Sequence, residues 1–108
     1  MLYDVRTYEC LPGTLMMHLE IYEKYGKAPQ SRALGTPLAY LIGEIGNPNR
    51  YIHIWVYKNA ADREERRNNM KADPEWQNYL KLSREAGYLI RQENQLMQNV
   101  DFYPHSMP

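Results

Sequence analysis

A histidine set within a row of aromatic rings carries the most chemical potential in this sequence. Tyr51–Lys58 alternates as a strand does, with Tyr51, His53, Trp55 and Tyr57 on one side and Ile52, Ile54 and Val56 on the other. Imidazole titrates near neutrality, and beside a carboxylate it can act as a general base or proton shuttle. Glu44 and Arg6, on neighbouring strands, complete the candidate catalytic group. The arginine could hold a substrate carboxylate or enolate. Tyr8, Tyr40, Tyr51, Trp55, Tyr57 and Glu93 are the expected ligand contacts. A structural reading stands beside this one: Arg6 pairs with Glu44 or Glu93 in a buried ion pair while His53 hydrogen-bonds a tyrosine, since buried charge is normally paired whatever its use.

Other chemistries find less support. His18 and His105 lack zinc spacing relative to His53, so no metal site is expected. One histidine is chemically enough to ligate haem, but nothing else signals haem, and no cofactor is expected. Cys10 is the sole cysteine and reads as an inert thiol. Arg63, Arg67 and Lys71 recur every fourth residue and could grip phosphate. Asp62, Glu64, Glu65 and Asp73 balance them, however, and Asp62 to Arg66 is a favourable i, i+4 pair, which predicts a solvated helix face. Trp76 and Tyr79 read as core anchors. Neither a GxGxxG nor a Walker pattern occurs, so Gly43 and Gly46 are assigned to strand-end and turn geometry.

The elements that must position these residues follow from periodicity and punctuation. Leu2–Glu9 alternates as a strand, with Asp4, Arg6 and Tyr8 on one face, and Pro12-Gly13 ends it. Leu15, Leu19 and Tyr22 predict a helix over about 14–25, capped by Thr14 and stopped by Gly26, with a loop through Pro29, Gly35 and Pro37. Leu38–Ile45 and Tyr51–Lys58 form a hairpin around Gly46-Asn47-Pro48-Asn49. Asn59 caps a helix over Ala60–Ala72, and Asp73-Pro74 starts another that ends at Gly87. Leu89–Gln98 is the last strand, with Arg91, Glu93 and Gln95 assigned inward, and Tyr103–Pro108 is an irregular tail. The order β-α-β-β-α-α-β predicts an α+β, ferredoxin-like βαββαβ fold: a four-stranded, mainly antiparallel sheet with helices on one face.

Length and composition set the outer limits. The 108 residues suit a single domain, with its core at about 2–98 and a tail over 99–108. Thirteen basic and 13 acidic residues cancel, which argues against nucleic acid or an anionic membrane as partner. No apolar run approaches a membrane span and Met1–Cys10 lacks a signal-peptide layout, so a cytoplasmic location is expected. Ten Tyr and 2 Trp stand against one Phe, and rings with polar tips suit half-wet cavities and interfaces. If helices cover the aliphatic side of the third strand, its ring side lies bare and exceeds the apolar patch that monomers usually expose. A second copy is the simplest cover, and two facing sheets would enclose a ring-lined pocket for a small molecule.

These residues also carry a family resemblance. Leu2-Tyr-Asp-Val-Arg-Thr-Tyr8 with Pro12-Gly13 resembles the opening of a NIPSNAP domain. So do Gly43-Glu-Ile-Gly46, Asn49, His53-Ile-Trp55 with Tyr57, Ala61-Asp-Arg63 with Arg67, and Asp73-Pro-Glu-Trp76. The resemblance spans roughly 2–97 and implies a dimeric α+β barrel. Its wider superfamily includes cofactor-free oxygenases and haem-handling enzymes, whereas the family's own activity is poorly defined. Longer eukaryotic relatives are associated with mitochondria and vesicle traffic, and nothing here resembles their targeting extension. The expectation is a homodimer that binds a small, partly apolar or aromatic molecule inside its barrel. The alternatives are a cofactor-independent oxygenase or isomerase with His53 as base, and a non-catalytic assembly domain.

Overall fold

The structure, a computed structural model, describes residues 1–103. Strand β1 (Leu2–Cys10) leads into α1 (Leu15–Ile21), which passes through a π-helical turn (Tyr22–Gly26) into α2 (Lys27–Leu34). Then come β2 (Ala39–Ile42), β3 (Arg50–Tyr57), α3 (Ala60–Ala72), α4 (Pro74–Ala86) and β4 (Leu89–Gln98). The four strands lie in the order β2-β3-β1-β4 with every neighbour antiparallel. This is the ferredoxin-like α+β fold, with the helices gathered on one face. The expected tail beyond Tyr103, His105 included, falls outside the described residues.

Local chemistry fixes the second half of the chain as the sequence predicts. The Asn59 side chain accepts the Asp62 backbone N–H at 2.9 Å and caps α3. Asp73 does the same for the Glu75 N–H at 2.9 Å, with Pro74 at the first position of α4. Gly87 closes that helix in the left-handed conformation at φ 69°.

The first half departs at two places. Gly26 does not stop the helix; a Cβ there would lie 2.9 Å from the rings of Tyr22 and Tyr79, so this glycine serves close packing. The π turn carries the chain past it without a break into α2, whose third residue is Pro29. Gly35, at φ 83°, is where the helix ends. Strand β2 is also shorter than expected. It stops at Ile42, and the chain folds back so closely that a Cβ on Gly43 would lie 2.7 Å from the Asn47 carbonyl oxygen. Glu44 therefore leaves the sheet and is exposed.

The largest correction concerns which face is covered. The register sets Tyr8 opposite Tyr51, Arg6 opposite His53 and Asp4 opposite Trp55, with Tyr40 on the far side of His53. This ring face lies beneath the chain's own helices: Tyr51, His53, Trp55 and Tyr57 are at most 2% exposed. Trp55 and Tyr57 pack with Leu34, Met70, Trp76 and Tyr79 into the main core. The bare face is instead the aliphatic one, where Ile52, Ile54 and Val56 are half-buried. A large ring removes about 150–250 Å² from water, and its polar tip can be satisfied by a helix above it. β4 is exposed from Ile90 onward. Thr7 faces Glu93 across the sheet, which puts Arg91, Glu93 and Gln95 on the aliphatic face, opposite to His53.

Candidate functional site: a polar aromatic cavity beneath the helices

A cavity of about 190 Å³ separates the ring face from the helices. The sheet contributes Arg6, Tyr8, Tyr40, Tyr51 and His53, while Tyr22, Gln30, Trp76 and Tyr79 close it from above. Arg67, Met70 and Lys71 reach it from α3. The strand register sets the first group side by side; of the second, the π turn and α2 carry Tyr22 and Gln30, and α4, started by the Asp73 cap, carries Trp76 and Tyr79.

His53 lies within this group in a defined protonation state. Trp55 Nε1–H donates to His53 Nδ1 at 2.7 Å. An indole nitrogen can only donate, so Nδ1 must be the bare nitrogen and Nε2 carries the proton. That Nε2–H is buried and has no hydrogen-bond partner in the protein. Burial, reinforced by the positive charge of Arg6, pushes the imidazole pKa down to about 3, so it is neutral near pH 7. The ring is stacked against Tyr40 at 4.8 Å and meets the edge of Tyr8 at 4.7 Å.

The buried carboxylate is Asp4, fully shielded from solvent. Its Oδ2 accepts from Arg6 Nη1 and from Arg63 Nε, each at 3.1 Å, and its Oδ1 accepts from Asn94 Nδ2 at 3.1 Å. Burial pulls its pKa up, but the Asn94 hydrogen bond and the two arginines outweigh that and hold it below the usual carboxylate value. Arg6 Nε also donates to the Tyr8 hydroxyl at 3.0 Å. The Tyr51 hydroxyl and His18 Nε2 share a hydrogen bond of 2.6 Å, and the Tyr22 hydroxyl donates to Gln30 Oε1. Burial raises the pKa of Tyr22 to about 12 and moves Tyr40, Tyr51 and Tyr79 upward as well, so these phenols stay protonated. Cys10 is buried, and burial pushes its thiol pKa up.

The structure thus brings together Arg6, His53, Tyr8, Tyr40 and Tyr51, with Trp55 and Tyr57 packed beside them in the core. Glu44 and Glu93 are not part of the group: one lies in the exposed loop after β2, the other on the opposite face, 3.8 Å from Arg91. The arginine's partner is Asp4, two residues away on its own strand. Sequence reasoning places Arg63, Arg67 and Lys71 on a solvated face; Lys71 is exposed, at the edge of the cavity, but Arg63 turns to the buried Asp4 and Arg67 is half-buried in the cavity wall. Buried Met70 lies one turn after Arg67 and would have marked the inward side of α3. The Asp62–Arg66 pair forms as expected, at 3.0 Å. Trp76 and Tyr79 anchor α4 in the core and line the cavity too.

The sequence profile of the NIPSNAP family matches residues 3–104. The chain belongs to the NIPSNAP family. The human protein NipSnap homolog 3A is 36% identical over 76 residues, which are 69% of this chain but only 30% of that longer protein. A NIPSNAP-family protein of unknown function from Agrobacterium tumefaciens superposes with a TM-score of 0.86 at 35% identity, covering 96% of this chain and 92% of that one. An antibiotic biosynthesis monooxygenase shares the fold at a TM-score of 0.61 and 18% identity, over 93% of this chain and 99% of that one. Among the described residues of this NIPSNAP chain, no helix is long and apolar enough to cross a membrane.

Proposed function

We propose that this NIPSNAP-family chain binds a small, partly aromatic molecule, and that the molecule sits between each subunit's own sheet and helices. One observation carries the reading: His53 lines a ring-walled cavity, and its buried Nε2–H lacks a protein partner. Leaving such a group unmet costs about 1–3 kcal/mol, and a ligand oxygen would satisfy it. The volume suits one ring, since an apolar cavity of about 150 Å³ is enough to hold benzene. The chain works as a homodimer in this reading, with a second copy covering the aliphatic face of Val5, Ile52, Ile54 and Val56. Thermal-shift screening against one-ring aromatics, with native mass spectrometry of the purified protein, tests the reading. A raised melting temperature with a one-to-one adduct per subunit is expected. A flat response across the panel, with only the bare chain mass, would overturn it.

A second reading, catalysis on an enolisable aromatic substrate, keeps the cavity and changes the part played by His53. With Nδ1 occupied by Trp55 and the proton on Nε2, the imidazole is arranged to donate to a developing enolate oxygen rather than to abstract a proton. Product formation or oxygen uptake over phenolic and quinol substrates tests it, and unchanged turnover in His53→Ala would remove this residue from the mechanism.

A further inference from the structure

We infer that the molecule held in this cavity is a one-ring monoanion of the arene-carboxylate class, its charged oxygens set among Arg67, Arg6 and His53 Nε2. The inference rests on the binding function proposed above and adds the charge and the position of the ligand.

Charge bookkeeping around the cavity supplies the argument. Arg6, Arg63 and Arg67 lie close together beside one buried carboxylate. Asp4 is already spent on Arg6, Arg63 and Asn94. No ion pair among the described residues includes Arg67 or Lys71, yet both border the cavity. Arg67 is partly buried, and burial together with Arg6 and Arg63 makes its positive charge harder to hold than that of a free arginine. A negative ligand would relieve this repulsion; a positive one would add to it.

The neutral groups point the same way. No carboxylate lines the cavity among the described residues. The His53 Nε2–H is a donor, and Gln30 Oε1 is taken up by the Tyr22 hydroxyl. Tyr8 already accepts from Arg6, which leaves its own O–H to donate. With Arg6, Arg67 and the His53 N–H on its wall and only neutral acceptors such as Gln92 and Ser83 beside them, the site has the composition that recognises carboxylate oxygens. The rings of Tyr8, Tyr40 and Tyr79 line the same cavity. A planar arene fills that space better than an aliphatic acid of equal charge.

Isothermal titration calorimetry at pH 7 tests this with three probes of one size: benzoate, neutral benzamide and cationic benzamidine. Benzoate is expected to bind at least tenfold more tightly than benzamide, and benzamidine not at all. Arg67→Met should reduce benzoate to the benzamide level without changing benzamide, while Arg67→Lys should restore part of the difference. Equal binding of benzamide and benzoate, or preference for benzamidine, would overturn the anionic assignment and leave a one-ring cavity standing. Binding of none of the three would overturn the binding function itself. Should Arg67→Met fail to fold, the ranking of the three probes on the unaltered protein decides the matter.

Discussion

The two faces of the sheet divide the chain's apolar residues in the opposite way to what their hydropathy suggests. Beneath the helices stand Tyr51, His53, Trp55 and Tyr57, each at most 2% exposed. On the bare side stand Ile52, Ile54 and Val56, each half-exposed although more hydrophobic in character. The polar tips explain the sorting. Trp55 finds His53, Tyr51 finds His18 and Tyr22 finds Gln30, so these wide rings can be buried within one chain with their polar tips met, while His53 Nε2 and the Tyr57 hydroxyl are left without a partner. The aliphatic side chains make no such demand, and a flat sheet of them suits a second sheet laid against it. A thin core made of large polar-tipped rings also encloses space that close-packed aliphatics would fill, and that space is the candidate site.

The strongest way to break this comparison is to shorten one side chain on each face. Trp55→Ala should cost about 3–5 kcal/mol in urea denaturation, because it opens a void in the core and leaves His53 Nδ1 unmet. Ile54→Ala on the bare face should cost about 1 kcal/mol, and equal losses would erase the distinction. Acid should act next. The pKa of His53 is near 3 in the folded chain against 6.5 ordinarily, so the unfolded chain takes up the proton first. Stability is therefore fully present above pH 6.5 and falls as the pH drops toward 3, by about 4 kcal/mol. His18, whose pKa burial also lowers, adds to the same slope. Urea midpoints across this range should fall for the unaltered protein and fall less for His53→Gln. Asp4→Asn comes third, at about 3 kcal/mol, since it leaves the partly buried Arg6 and Arg63 without their counter-charge. Ile54→Glu should change the stability of the chain least, within about 1 kcal/mol, and should shift sedimentation of the proposed homodimer toward the single chain.

Much of the fold was legible in the residues. Asn59, Asp73-Pro74 and Gly87 carry their own capping chemistry, and α3 and β4 have the bounds that the pattern predicts. The π turn was not legible, because the need for a glycine against Tyr79 exists only once α4 has packed there. The group of Arg6, Tyr8, Tyr40, Tyr51 and His53 followed from strand alternation alone. Which side of the sheet held it did not, because both faces of such a sheet carry apolar residues and alternation cannot tell helix from partner. Glu44 failed for a local reason: alternation was carried beyond Ile42, where the backbone turns away. Arg67 was hidden because a charged stripe on a helix usually faces water, and only the packing of α3 against the sheet turns it toward the cavity.

A crystal structure of the protein grown with benzoate would test most directly where the ligand lies. Ring density beneath α3 and α4, with carboxylate oxygens in hydrogen-bond reach of His53 Nε2 and Arg67, is the expected result. Ring density between two sheets against Ile52 and Ile54, with protein side chains closing the space beneath the helices, would contradict it.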